Sequence, residues 1–127
     1  MTKEAAIFQF WGQFLPAYEE NTIHSGKDLN GKVVTFPYIT YQVVTDNFDS
    51  EVPMTASVWD ESTSWSNINR IARNMSETIG DGLFIKCDGG KIWIKKGTPF
   101  AQNMGDESNN LIRRKYLNIT AEFLTLN

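Results

Sequence analysis

His24 is the one histidine and Cys87 the one cysteine in 127 residues, so acid–base and nucleophilic chemistry have few groups to draw on. A nucleophilic triad would need His24 as its base, yet His24 stands in the polar stretch EENTIHSGKDLNGK with no partner identifiable from spacing. Cys87 closes an alternating apolar run before a glycine turn, which suits a small core residue better than an activated thiolate. With one residue of each type, a Cys/His zinc site and an internal disulfide are both ruled out. The adjacent acids Asp60 and Glu61 could act as acid and base, but they precede a helical pattern, where carboxylates complement the helix dipole.

Phosphate chemistry fares no better. The glycine-rich segment Gly82–Lys91 ends in Gly90-Lys91, but Ile85 stands where a phosphate-loop pattern needs glycine, and Ile92 where it needs Ser or Thr. Gly89 and Gly90 therefore read as turn residues. The segment KIWIKK sets a Trp among cations, as single-strand nucleic-acid readers do, yet the whole chain carries a net charge of -3, which weighs toward a solvated hairpin face. The sequence predicts neither an enzyme nor a cofactor.

Composition bounds what remains. A chain of this length holds one domain with a real core, predicted to span residues 1–127 with an N-terminal helix over 3–15 and a sheet with the main helix over 36–127. No apolar run reaches the roughly 18 residues of a membrane span, and MTKEAAIFQF lacks a secretory layout, so a cytoplasmic location is expected. Aromatic residues make up 13%, with four Trp, eight Phe and four Tyr. That excess suits either an aromatic core or a protein–protein contact.

The elements follow from periodicity. Ile7, Phe10, Trp11 and Phe14 fall at helical spacing behind a Thr2 cap and ahead of Pro16. YITYQVVT (38–45) and PMTASVWD (53–60) read as strands paired across a polar turn, with Met54, Ala56 and Val58 facing opposite to Thr55, Ser57 and Trp59. From about Ser64 to Ile79, the residues Trp65, Ile68, Ala72, Met75 and Ile79 form one apolar face, between a Ser/Thr start and Gly80. LFIKC, a glycine turn and KIWIKK make a hairpin in which Trp93 faces away from Ile92 and Ile94. Residues 97–110 read as a long loop. The stretch 111–125 reads as a last strand with Leu117, Ile119, Ala121 and Phe123 inward. Together these predict an α+β fold: a mainly antiparallel sheet of four to five strands, with two helices packed on one face.

Charge is unevenly spread. Residues 1–62 hold three cations and nine acids, whereas residues 86–115 hold seven cations and three acids. Unless folding mixes the two halves, the molecule has an acidic and a basic side, which suits head-to-tail association. The candidate contact pairs the acidic stretch with Asp46, Asp49 and Glu51 against a neighbour's basic strand and loop. The second side would offer Trp93, Lys95, Lys96, Phe100 and Met104.

Four segments occurring in order, FPYITYQ, SVWDESTSWSNINRIARNM, DGGKIWIKKGTPFAQNM and IRRKYLNITAEFLT, give the chain a family likeness. From about Phe36 onward it resembles the small tail terminator (tail completion) proteins of long-tailed phages and prophages of Gram-positive bacteria. The resemblance implies a homo-hexameric ring that caps the finished tail tube and meets the head connector. The implied partners are copies of itself, the major tail tube protein and a neck protein, in the host cytoplasm and then the virion. No residue-level functional motif comes with the family. Two other readings stay open: another neck or minor capsid protein, and a small ligand-binding or regulatory α+β domain.

Overall fold

The computed structural model describes residues 1–43, 51–105 and 111–126. Its elements are α1 (Lys3–Gly12), β1 (Ala17–Glu19), a 3-10 turn (Glu20–Thr22), β2 (Tyr38–Val43), β3 (Glu51–Glu61), α2 (Ser66–Ile79), β4 (Leu83–Cys87), β5 (Gly90–Gly105) and β6 (Ile112–Thr125). The strands form one six-stranded sheet in the order β1-β2-β3-β6-β5-β4. The class is α+β as predicted, with six strands against the four to five expected and one parallel pair, β1 with β2, among antiparallel neighbours. Ala17-Tyr18-Glu19 is too short to show a period of two, so its place beside Ile39-Thr40-Tyr41 is decided by tertiary pairing.

Alternation along the strands sends Ile39 and Tyr41, Met54, Ala56 and Val58, Leu117, Ile119 and Ala121, and Ile92 and Ile94 to one side. There they form a single core with both helices. The α2 stripe is buried at Ile68, Ala72, Met75 and Ile79, with Ile71 added and Trp65 only partly covered. Helix α1 buries Ala6, Ile7, Phe10 and Trp11, and the Trp11 ring stacks on Tyr41 at 6.3 Å. Because α1 packs against β1 and β4, the opposite edges of the sheet, the sheet has to curl around the core.

Local chemistry sets the helix ends. The Thr2 hydroxyl accepts from the Ala5 amide at 3.0 Å, which is the expected cap. Helix α1 stops at Gly12, short of the predicted Leu15, and the Gln13 side chain donates back to the Phe10 carbonyl. Pro16 keeps Leu15 out of helical geometry, so the chain unwinds within the preceding turn. At the start of α2 the serines act in relay: Ser62 Oγ accepts from the Ser64 amide and Ser64 Oγ from the Ser66 amide, each at 3.1 Å. Helix α2 therefore begins at Ser66, two residues later than expected.

The largest departure from expectation falls in the loop predicted over 97–110, of which residues 106–110 lie outside the described residues. Strand β5 instead runs on to Gly105, pairing with β6 on both sides of an irregularity between Lys96 and Ala101. Gly97 and Thr98-Pro99, residues with the chemistry of a turn, fall within this excursion. A side chain at Gly97 would press on Asn118, whose amide donates to the Pro99 carbonyl at 3.1 Å and pins the excursion to β6. Phe100 folds back against the core instead of standing in solvent.

Candidate assembly surface

The sheet carries helices on one face only. Its other face presents Thr55, Ser57 and Trp59 from β3, the partners that alternation sets against Met54, Ala56 and Val58. Opposite Trp59 stand Tyr38 on β2 and Arg114 on β6, and opposite Arg114 stands Met104 on β5. Register thus lines up a row across four strands. The Tyr38 ring stacks on Trp59 at 6.3 Å and 16°, with Tyr18 edge-on at 6.2 Å and Phe36 tilted at 5.3 Å. The Trp59 indole donates to Thr40 Oγ1 at 2.9 Å, which fixes the ring. The Arg114 guanidinium lies 4.8 Å from the Trp59 centroid and 5.6 Å from that of Tyr116, and its Nε donates to Ser57 Oγ at 2.9 Å. Burial pushes the Tyr38 hydroxyl above its ordinary value, with the neighbouring Tyr18 adding to the effect.

A second cluster sits on the same face near the β4 edge. Phe84 and Trp93 stack at 5.5 Å, and Lys91 and Lys95 each hold an ammonium 4.4 Å above one of these rings. Phe84 remains 51% exposed. Trp, Tyr and Arg are the residues that dominate the energetics of protein contacts, and cation–π pairs order the cationic stems over the rings.

The eight residues picked from the sequence do not gather in one place. Glu51, Trp93, Lys95 and Met104 are on the helix-free face, with Lys95 bound to Glu51 of the same chain at 2.9 Å. This pairing mixes the acidic and basic halves that looked separable along the sequence. Lys96 points to the helical side and donates to Ser76 of α2 at 3.1 Å, and Phe100 packs toward the core. Asp46 and Asp49 lie outside the described residues.

The groups examined for catalysis are dispersed. His24 is exposed, tied to Lys27 through reciprocal backbone bonds of 3.0 Å. Asp60 is buried at 6% exposure; its carboxylate accepts from the Glu61 amide at 2.9 Å and the Asn67 amide group at 3.2 Å, anchoring the approach to α2. Cys87 is half-buried at the end of β4, and burial pushes its thiol upward, reinforced by Asp88 and partly opposed by Lys3 and the N-terminus. Among the described residues, no group of His, Cys, Asp and Glu is placed to hold a metal ion, and no helix is long and apolar enough to cross a membrane. A cavity of about 540 Å³ lies between α1 and β4, with Phe10, Ala6 and Ile85 in its wall and Gln9, Gln13 and Lys86 around them.

Sequence reasoning missed the Tyr38–Trp59–Arg114 row. The signal was present in part, since alternation sets Trp59 opposite the core residues of its strand. What was missing was the register between β3 and β6, which sequence periodicity does not supply. No protein-family model and no curated protein matches this chain.

Proposed function

We propose that the chain is a non-enzymatic phage morphogenesis protein, a tail terminator whose copies form a hexameric ring at the end of the tail tube. The ring caps the tube and offers its far side to the neck. The observation that carries this reading is the one-sided sheet: helices cover one face, and the other bears Phe36, Tyr38, Trp59, Arg114, Phe84 and Trp93. Such a surface suits subunit contact, because it combines aromatic anchors with cations ordered over their rings. The tail terminator identity rests on the four sequence segments named above, all of which contribute strand residues to this sheet. The cavity beside α1 favours a second reading, a small ligand-binding domain, because its size falls in the range of small-molecule pockets.

The test is assembly with the tail tube protein encoded in the same gene cluster. Electron microscopy of growing tubes should show a ring at one end and tubes that stop lengthening when the protein is added. Trp59→Ala with Trp93→Ala should abolish capping while the circular dichroism spectrum stays native. Tubes that lengthen equally with and without a folded wild-type protein would overturn the reading.

A further inference from the structure

We infer that Arg114 is the anchor of a carboxylate-binding pocket on the helix-free face of the sheet. The pocket measures about 160 Å³ and is walled by Arg114, Tyr116, Ser57, Thr55, Gln42 and Glu20. Thr55 faces Gln42 across the β2–β3 pair, and Ser57 faces Tyr116 across the β3–β6 pair, so strand register brings these polar side chains together from three strands. Met104 lines part of the same wall.

Three restraints hold the guanidinium before any ligand arrives. Its Nε donates to Ser57 Oγ at 2.9 Å, and its Cζ lies 4.8 Å from the Trp59 ring centroid and 5.6 Å from that of Tyr116. Ser57 itself is buried, and Trp59 is fixed in turn by Thr40. Among the described residues, Arg114 belongs to no ion pair, because the two that occur are Met1–Asp88 and Lys95–Glu51. An arginine fixed through Nε and held by cation–π contact with two rings keeps the fork of its terminal nitrogens for an incoming planar anion, the arrangement that carboxylates meet in a bidentate way. Little side-chain entropy is then lost on binding.

Size and charge select among anions. A water occupies about 30 Å³ of liquid, so the pocket takes a group the size of a short acid and is too small for a nucleotide. The Glu20 carboxylate in the wall repels a phosphate dianion more than a singly charged carboxylate. The hydroxyls of Thr55 and Tyr116 and the amide of Gln42 are donors for a second carboxylate oxygen. The ligand class is therefore a carboxylate on a short aliphatic stem, whether a free small acid or an acidic side chain of a polypeptide. Binding to this pocket is a property of the single subunit, so it stands or falls separately from ring formation.

The experiment is an NMR titration of dilute protein, following the Arg114 Nε–Hε resonance. The probes are sodium acetate, a capped tripeptide with a central glutamate, and inorganic phosphate. Acetate and the tripeptide should shift the resonance with saturation in the millimolar range. Phosphate should bind about tenfold more weakly or not at all. Arg114→Lys, which keeps the charge and loses the fork, should weaken carboxylate binding about tenfold. Glu20→Gln, an exposed change that leaves the fold alone, should raise phosphate binding without weakening acetate. Tighter binding of the tripeptide than of acetate assigns the natural source to a protein side chain, and the reverse order assigns it to a free acid. No carboxylate shift at Arg114 in wild type overturns the inference. So does phosphate binding as tightly as acetate, or a Glu20→Gln variant with unchanged selectivity.

Discussion

Ile68→Ala is the sharpest test of how α2 is held. Ile68 sits on the apolar stripe of α2, is 0% exposed and belongs to the core formed with β3, β5 and β6. The substitution removes three carbon groups from full burial. At about 0.8 kcal/mol for each buried methylene, the lost transfer free energy is roughly 2.4 kcal/mol. A cavity that the surrounding core does not fill adds to this, so the expected loss is about 2.5–4 kcal/mol. For a chain of this size, that corresponds to a fall of roughly 10–15 °C in thermal midpoint. Urea denaturation followed by circular dichroism measures it directly, and the slope of the transition should stay as in wild type. Asn74→Ala is the matched control, because Asn74 is exposed on the opposite side of the same helix and should change stability by less than about 0.5 kcal/mol. An Ile68→Ala loss below about 0.5 kcal/mol would mean that the stripe does not pack on the sheet, and the core as described would be refuted.

Three further outcomes follow from single positions. Gly82 has φ +146°, and a Cβ there would overlap the Trp93 indole nitrogen, so Gly82→Ala should destabilise by about 1–3 kcal/mol and change Trp fluorescence by displacing the ring from Phe84. Gly12→Ala, with open space around it, should be neutral or slightly stabilising in the same assay. Tyr41 is pushed by burial, with Glu19 adding to it, from the ordinary 10.0 to about 12. The folded state then holds this proton more tightly than the unfolded chain. Its contribution is fully present below pH 10 and is lost as the pH rises toward 12. Urea midpoints measured across that window should fall for wild type and fall less steeply for Tyr41→Phe.

The parts of this fold that the sequence makes legible are those whose burial has a local period. The α2 stripe, the alternation of β3 and the Ile92–Trp93–Ile94 reversal each follow from one element's own side chains, and each is where the pattern puts it. Strand β1 and the second half of β5 are different. Ala17–Glu19 has no pattern of its own, and Gly97-Thr98-Pro99 has the chemistry of a turn while serving as an irregularity inside a continuous strand. Both are settled by a partner strand distant in sequence, which local propensity does not report.

The same distinction applies to the candidate assembly surface. Counting charges along the chain suggested that acids near Glu51 would meet a neighbour's Lys95 and Lys96. Folding puts β3 and β5 on either side of β6, close enough for Lys95 to reach Glu51 within one molecule, while Lys96, one residue on, turns to the opposite face and meets Ser76. A partly exposed pair of this kind is worth about 0–1 kcal/mol and leaves little charge asymmetry on that patch to drive association. The aromatic rows are not neutralised in this way. Their rings stack on one another and carry cations over their faces, and Phe84 still offers half of its surface to solvent. If subunits meet through this face, apolar burial at Trp59 and Trp93 therefore carries the contact, with charge playing the smaller part. Such a contact persists in high salt, because ionic screening weakens surface charge pairs and leaves apolar burial in place.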